Sequence, residues 1–209
     1  MGRTQDSRVD EEREFLNAIT MGILQICFYS LMLAWLVTEI YYAISMRSGK
    51  QDKKGKDGHS LLILWIIIPL SIWTSISVSS IFNYPIASGD WLYWIGIILL
   101  FVGIVTRIII IKNLGKYFTV DVSIKSDHAI KSDGFYTYVR HPSYAFSMLT
   151  FLGLGLALNN WVSLAIAFIP PFIAFSYRIF VEEKALIEQF GKNYEDYRLH
   201  TKKLIPFIY

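Results

Sequence analysis

"RHPSYAFSMLTFLGLGLALNNWVSLAIAFIPPFIAFSYRIFVEEK", residues 140–184, holds two apolar runs joined by two asparagines and bounded by charge at both ends. The runs at 143–158 and 161–181 approach the roughly 20 apolar residues that carry a helix across a bilayer. A two-residue joint permits only an antiparallel helical hairpin in the membrane. Arg140 and His141 at its entry and Arg178, Glu182 and Glu183 at its exit are therefore expected at one membrane boundary. Arg178 and Glu182 are four residues apart and share a helix face. Taken singly, each cluster has a plain reading: a positive-inside anchor for Arg140-His141, and a snorkelling boundary salt bridge for Arg178-Glu182. Two guanidiniums, an imidazole and two carboxylates converging at one depth point instead to a polar site.

Outward from the hairpin, three more apolar runs lie at 21–45, 60–82 and 91–112. The expected fold is therefore all-α and integral to a membrane, with about five transmembrane helices. Composition agrees. Only 18% of the 209 residues are charged and 54% are hydrophobic, where a soluble domain carries about 25% charge. The net charge of +3 is too small to suggest nucleic acid, and the single cysteine, Cys27, excludes a disulfide framework. The polar stretch 1–20 is mixed in charge and does not read as a cleavable signal. Pro69 is expected to kink the second helix, and Pro170-Pro171 to bend or break the fifth.

Lys and Arg alternate between the loops. Loop 46–59 carries Arg47, Lys50, Lys53, Lys54 and Lys56, loop 83–90 carries none, and loop 113–142 and the tail after 181 are again basic. The positive-inside rule then sets the C-terminus in the cytoplasm and the N-terminus on the opposite side. Both long polar segments, 113–142 and 182–209, fall on the cytoplasmic face. Within them, "YFTVDVSI" alternates like an extended segment, "SDG" at 132–134 is a turn signal, and Gly191 ends a helix, with a second short helix from about Asn193 to His200. "GLG" at 153–155 reads as small residues for close helix packing, not as a nucleotide loop. The four histidines lack metal-ligand spacing, so no metal site is expected. Arg107, inside the third run, either snorkels or joins the polar site.

Two segments resemble the isoprenylcysteine carboxyl methyltransferase family, within the wider phospholipid methyltransferase-like group. One is "LGKYFTVDVSIKSDHAIKSDGFYTYVRHPSY" at 114–144. The other is "RIFVEEKALIEQFGKNYEDY" at 178–197. Arg-His-Pro-Ser-Tyr, a short apolar hairpin, Glu-Glu and Phe-Gly-x-x-Tyr-x-x-Tyr follow one another in that order. The resemblance covers about residues 100–209 and implies a membrane methyltransferase that uses S-adenosyl-L-methionine without a Rossmann domain. It implies a methyltransferase core at 113–209, with 21–112 as scaffold or as lipid-substrate access. The cofactor pocket would be cytoplasmic and formed by loop 113–142 with the C-terminal helices. His128, Ala129 and Ile130 would hold the adenosine end, and Gly134 and Tyr136 would shape the pocket. His141 and Tyr144 would meet the methionine end, with Glu182 or Glu183 near its amino group, and Arg140 and Arg178 would hold a substrate carboxylate.

Methyl transfer to a carboxylate needs no general base. It needs orientation and partial desolvation, which planar guanidiniums supply. An amine acceptor must instead lose a proton to a nearby base. The arginine pair thus favours carboxyl O-methylation of a lipophilic, isoprenylcysteine-like acceptor reaching the site through the bilayer. Phospholipid or amine N-methylation and an NADPH-dependent membrane reductase are the enzyme alternatives. A scaffold or transporter subunit is the non-enzyme alternative, and the absence of a polar path through the membrane middle weighs against it.

Overall fold

The computed structural model describes residues 3–46, 53–54, 59–115, 123–124 and 130–205. It is nearly all helical. The helices are α1 (Arg3–Ser45), α2 (Ser60–Ile81), α3 (Trp91–Leu114), α4 (Pro142–Ala157), α5 (Trp161–Phe190) and α6 (Lys192–His200). A short 3-10 helix covers Gly134–Thr137. Two residues of each long polar loop, β1 (Lys53–Lys54) and β2 (Ser123–Ile124), pair antiparallel. The rest of "YFTVDVSI" lies outside the described residues.

The chain divides into two compact units, Met1–Tyr41 and Tyr42–Tyr209. The first is carried by α1, which runs unbroken from the polar stretch into the apolar run. "VDEEREF" consists largely of residues that favour a helix, which extends the span outward.

In the second unit, α4 lies between α3 and α5, and α5 packs in turn on α2. Glycine makes the α3–α4 contact possible. A Cβ on Gly96 would collide with the Ala157 backbone, and one on Gly153 would stand 2.5 Å from the Leu100 nitrogen. Backbones this close gain dispersion contact without help from the hydrophobic effect, which is weak between helices in lipid. Gly155 does the same on the other side of α4, against Leu164 of α5. The packing expected of "GLG" is therefore present, and Gly96 and Gly103 of α3 complete it.

Among the described residues, four helices, α1, α2, α3 and α5, are long and apolar enough to cross a membrane. About five are expected from the apolar runs; the fifth, α4, is apolar but has only 16 residues. Pro69 lies within an unbroken α2, and Pro170-Pro171 within an unbroken 30-residue α5, so neither the prolines' missing N–H groups nor their rings end a helix here. Large apolar side chains point outward from the spans, among them Trp73, Phe101, Ile173 and Phe180, as lipid-facing residues do.

The two asparagines between α4 and α5 do more than turn the chain. Asn159 adopts φ 45°, in the left-handed region that asparagine tolerates. Its Oδ1 accepts from the Ile86 and Ala87 nitrogens, at 3.1 Å each, and its Nδ2 donates to the Ala87 carbonyl at 2.9 Å. Asn160 caps α5, accepting from the Val162 and Ser163 nitrogens at 3.0 Å, and donates to the Phe82 carbonyl at 2.6 Å. One end of the helix bundle is locked by two amide side chains. That fixes the register of the hairpin and thereby the level at which its other end stands.

Candidate functional site

At the opposite end of the hairpin the two charged clusters meet. Pro142 sits at the first position of α4, where its missing N–H costs nothing, and leaves His141 as the cap residue. Arg178, Glu182 and Glu183 lie on the last turns of α5. Arg178 Nε donates to Glu182 Oε1 at 2.9 Å. Arg140 Nε donates to Glu183 Oε1 at 2.7 Å. His141 bridges the two acids, with Nδ1 3.5 Å from Glu182 Oε2 and Nε2 3.4 Å from Glu183 Oε1. The second of these is ionic contact without hydrogen-bond alignment, since His141 Nε2 is buried with no hydrogen-bond partner. Tyr144 donates to Glu182 Oε1 and stacks between the His141 ring, at 5.9 Å, and the Phe175 ring, at 5.0 Å. Adjacent on one helix, Glu182 faces Arg178 and Tyr144 while Glu183 faces Arg140.

Burial makes this cluster costly unless each charge has a partner. Arg178 is 1% exposed, Glu183 5% and His141 6%. Each carboxylate is therefore met by an arginine, and the histidine is shared. Burial alone would lower the His141 pKa, but the contact with Glu182 and the negative charges of both glutamates outweigh it and hold the imidazole above its ordinary value.

α6 closes the cluster from the C-terminal side. Gly191, at φ 53°, turns the chain directly from α5 into α6. Arg140 Nη1 donates to the carbonyls of Thr201 and, at 3.2 Å, Arg198, at the C-terminal end of α6 where the helix dipole favours a cation. The backbone beyond pairs with 138–141: Arg140 N donates to Lys202 O at 2.8 Å, His141 N to Lys203 O at 3.1 Å, and Lys202 N to Tyr138 O at 3.1 Å. Arg198 Nε stands 3.8 Å from Glu183 Oε2. Tyr197 donates to the Tyr136 carbonyl at 2.6 Å, and burial pushes its phenol up to about 12. Tyr136 is buried, and its pKa rises through burial, Tyr197 and Glu182, against the opposing charge of Arg107. Tyr194, 3% exposed, has a buried hydroxyl with no hydrogen-bond partner; burial and the nearby Glu183 raise its pKa, while Arg140 opposes them.

The structure thus brings together Arg140, His141, Tyr144, Arg178, Glu182 and Glu183, with Tyr136 alongside. Ile130 is half-buried and Gly134 is exposed at the start of the 3-10 helix, at φ 59°. His128 and Ala129 lie outside the described residues. Arg107 joins the site's frame, donating to the Ser143 carbonyl in the first turn of α4 at 3.2 Å. Sequence reasoning missed Ser60, Tyr194, Arg198 and Thr201. The Phe-Gly-x-x-Tyr-x-x-Tyr pattern signalled Tyr194; the others carry no motif. Among the described residues there is no group of three or more His, Cys, Asp or Glu able to hold a metal.

An amino-acid zwitterion fits this donor set. The two carboxylates suit an ammonium, the imidazolium and guanidiniums suit a carboxylate, and the unpaired Tyr194 hydroxyl and His141 Nε2 are buried polar atoms that a bound group can satisfy.

Residues 91–193 match the phospholipid methyltransferase family. The chain is 35% identical to the protein-S-isoprenylcysteine O-methyltransferase of Saccharomyces cerevisiae, over 72% of this chain and 62% of that one. It is 42% identical to the Schizosaccharomyces pombe protein of the same name, over 39% of this chain and 35% of that one. A solved structure of the eukaryotic intramembrane Ras methyltransferase, isoprenylcysteine carboxyl methyltransferase, superposes with a TM-score of 0.59 at 29% identity, covering 69% of this chain and 52% of that one. The chain spans less than two thirds of the length of each of these relatives.

Proposed function

We propose that this chain, whose residues 91–193 match the phospholipid methyltransferase family and which is similar to protein-S-isoprenylcysteine O-methyltransferases, is a membrane methyltransferase that esterifies the carboxylate of a lipophilic, isoprenylcysteine-like acceptor with S-adenosyl-L-methionine as donor. The observation that carries the reading is the convergence of Arg140, His141 and Tyr144 with Arg178, Glu182 and Glu183 at one end of the α4–α5 hairpin, inside the matched segment.

When bound, S-adenosyl-L-methionine supplies an electrophilic methyl group on a sulfonium. The residues bind and orient. Glu182, held by Arg178 and Tyr144, receives the cofactor's ammonium, and His141 receives its carboxylate at the start of α4, where the helix dipole also favours an anion. By the resemblance, Ile130 would hold the adenosine end, and Gly134 and Tyr136 would shape the pocket. Arg140 and Arg178 orient the acceptor carboxylate, with Glu183 fixing Arg140. A carboxylate is already the nucleophile, so no side chain has to take a proton. The site's contribution is proximity and exclusion of water, which suits its near-complete burial.

The site faces the cytoplasm and the acceptor enters from the bilayer, a reading supported by the basic loops on that side and by the apolar exterior of the helices. Transfer of a tritiated methyl group to a panel of prenylcysteines, fatty acids and aminophospholipids tests the proposal. Base-labile volatile methanol formed from the prenylcysteines supports it. Base-stable label on aminophospholipid favours the second reading, N-methylation, to which the matched family's description points.

A further inference from the structure

Ser60 opens α2, far in sequence from the residues of the charged cluster. Residue 59 caps this helix in the left-handed region, φ 62°, with no side-chain cap bond. A serine in a first helical turn commonly serves the local backbone. Here the Ser60 hydroxyl accepts from Arg178 Nη1 at 2.9 Å, across 118 residues of chain. Ser60 is 0% exposed and Arg178 1%, so water does not take the place of this bond. A second tie runs alongside it: β1, just upstream of Ser60, pairs with β2, and β2 packs on α5. The start of α2 is thus fastened to α5 by a side-chain bond, with the β1–β2 pair packed on the same helix.

Resting on the function proposed above, we propose that Ser60 is a positioning residue for Arg178, and that through it the first half of the chain sets the acceptor-carboxylate site. A guanidinium orients a carboxylate by presenting a planar fork in a fixed direction. The Arg178 fork is fixed at Nε by Glu182, four residues away on the same helix, and at Nη1 by Ser60 on another helix. The contact with Glu182 moves with α5. The Ser60 contact ties the guanidinium to a second helix. Residue 60 also lies outside the stretch that matches the methyltransferase family, so the family pattern does not assign it.

The full chain in lipid nanodiscs tests this with Ser60→Ala, Ser60→Thr, Arg178→Lys and the double variant Ser60→Ala/Arg178→Lys. The acceptor is a farnesylated cysteine, and S-adenosylhomocysteine affinity is read by calorimetry. Ser60→Ala is expected to raise the acceptor KM about fivefold with kcat and S-adenosylhomocysteine affinity within about twofold. Ser60→Thr, which keeps the hydroxyl, should return KM to near wild type. In the double variant, Ser60→Ala should add less than about twofold to Arg178→Lys, since both remove one unit. Should Ser60→Ala fail to fold, Ser60→Cys keeps the volume and replaces the hydroxyl with a weak partner, and carries the same expectation. An unchanged KM in Ser60→Ala, or effects that multiply independently in the double variant, overturns the proposal. A wild-type protein that methylates no acceptor overturns the functional reading and this proposal with it; an active wild type matched by Ser60→Ala sinks this proposal alone.

Discussion

Arg140 Nε and Glu183 Oε1 stand 2.7 Å apart although 43 residues separate them in the chain. Both side chains are only 7% exposed, so the pair is held in a medium where an unpartnered charge is strongly penalised. Glu183 also faces His141 and Arg198, and Arg140 also caps α6. The pair is therefore the joint at which α4, α5 and α6 are tied together.

Replacing either arginine by lysine keeps the charge and removes the fork. Arg140→Lys and Arg178→Lys should each lower methyl transfer at least tenfold, a loss of about 1.4 kcal/mol of transition-state stabilisation. S-adenosylhomocysteine affinity should change much less. Turnover assays beside calorimetry separate the two effects. If both fell together, the arginines would belong to the cofactor side of the site.

His141→Ala should weaken S-adenosylmethionine binding by roughly 1–3 kcal/mol, the scale of a lost hydrogen bond to a charged group. A folded variant that binds the cofactor as well as wild type would remove His141 from the pocket.

The same residue makes stability depend on pH. Its folded pKa is raised from 6.5 by the two glutamates, despite burial. The stabilisation it provides is fully present below the unfolded value and is lost as pH rises through the higher folded value. Thermal unfolding of wild type and His141→Gln should therefore show a wild-type advantage at pH 6 that shrinks toward pH 9. An advantage that grows with pH would reverse the sign argued here.

At the α3–α4 contact, Gly153→Ala places a methyl group 2.5 Å from the Leu100 nitrogen, against backbone that cannot swing aside. Destabilisation on the order of 1–3 kcal/mol is expected, as for other overpacked positions. Gly22→Ala, where nothing lies within 4 Å, should be neutral or slightly stabilising. The difference between the two unfolding midpoints is the measurement.

Asn160→Ala removes the cap of α5 and the bond to the Phe82 carbonyl. A loss of about 0.5–2 kcal/mol is expected from the cap alone. Asn160→Ser, able to cap but too short to reach Phe82, should recover part of it in the same unfolding assay.

The meeting of Arg140-His141 with Arg178, Glu182 and Glu183 is legible in the amino-acid sequence alone, because two residues between antiparallel helices leave no freedom in where the outer ends stand. The role of Asn159 and Asn160 is not, since their partners at Phe82, Ile86 and Ala87 lie more than 70 residues away. Thr201 and Arg198 reach Arg140 only because Gly191 turns α6 back at positive φ, and such a turn marks a helix end without saying where the chain goes next. Ser60 carries no signal, since serines in an apolar helix commonly bond to their own backbone, as Ser77 does to the Trp73 carbonyl. Of the bend or break expected at Pro170-Pro171, the break does not occur: a missing N–H within α5 is tolerable where neighbouring helices support the backbone.

The brevity of α4 has a consequence for the depth at which the charged cluster lies. Its 16 residues rise only about 24 Å, against a hydrocarbon core of roughly 30 Å. One end is set by the ion pairs at His141 and the other by the locked asparagine turn, so the hairpin cannot lengthen to match its surroundings. α3 and α5, which flank it, have 24 and 30 residues and are each long enough to span, so the lipid need not follow α4. Measured from the asparagine turn, the His141 end of α4 instead stops about 6 Å short of a full hydrocarbon span. The ion pairs gathered there are thus recessed between longer helices.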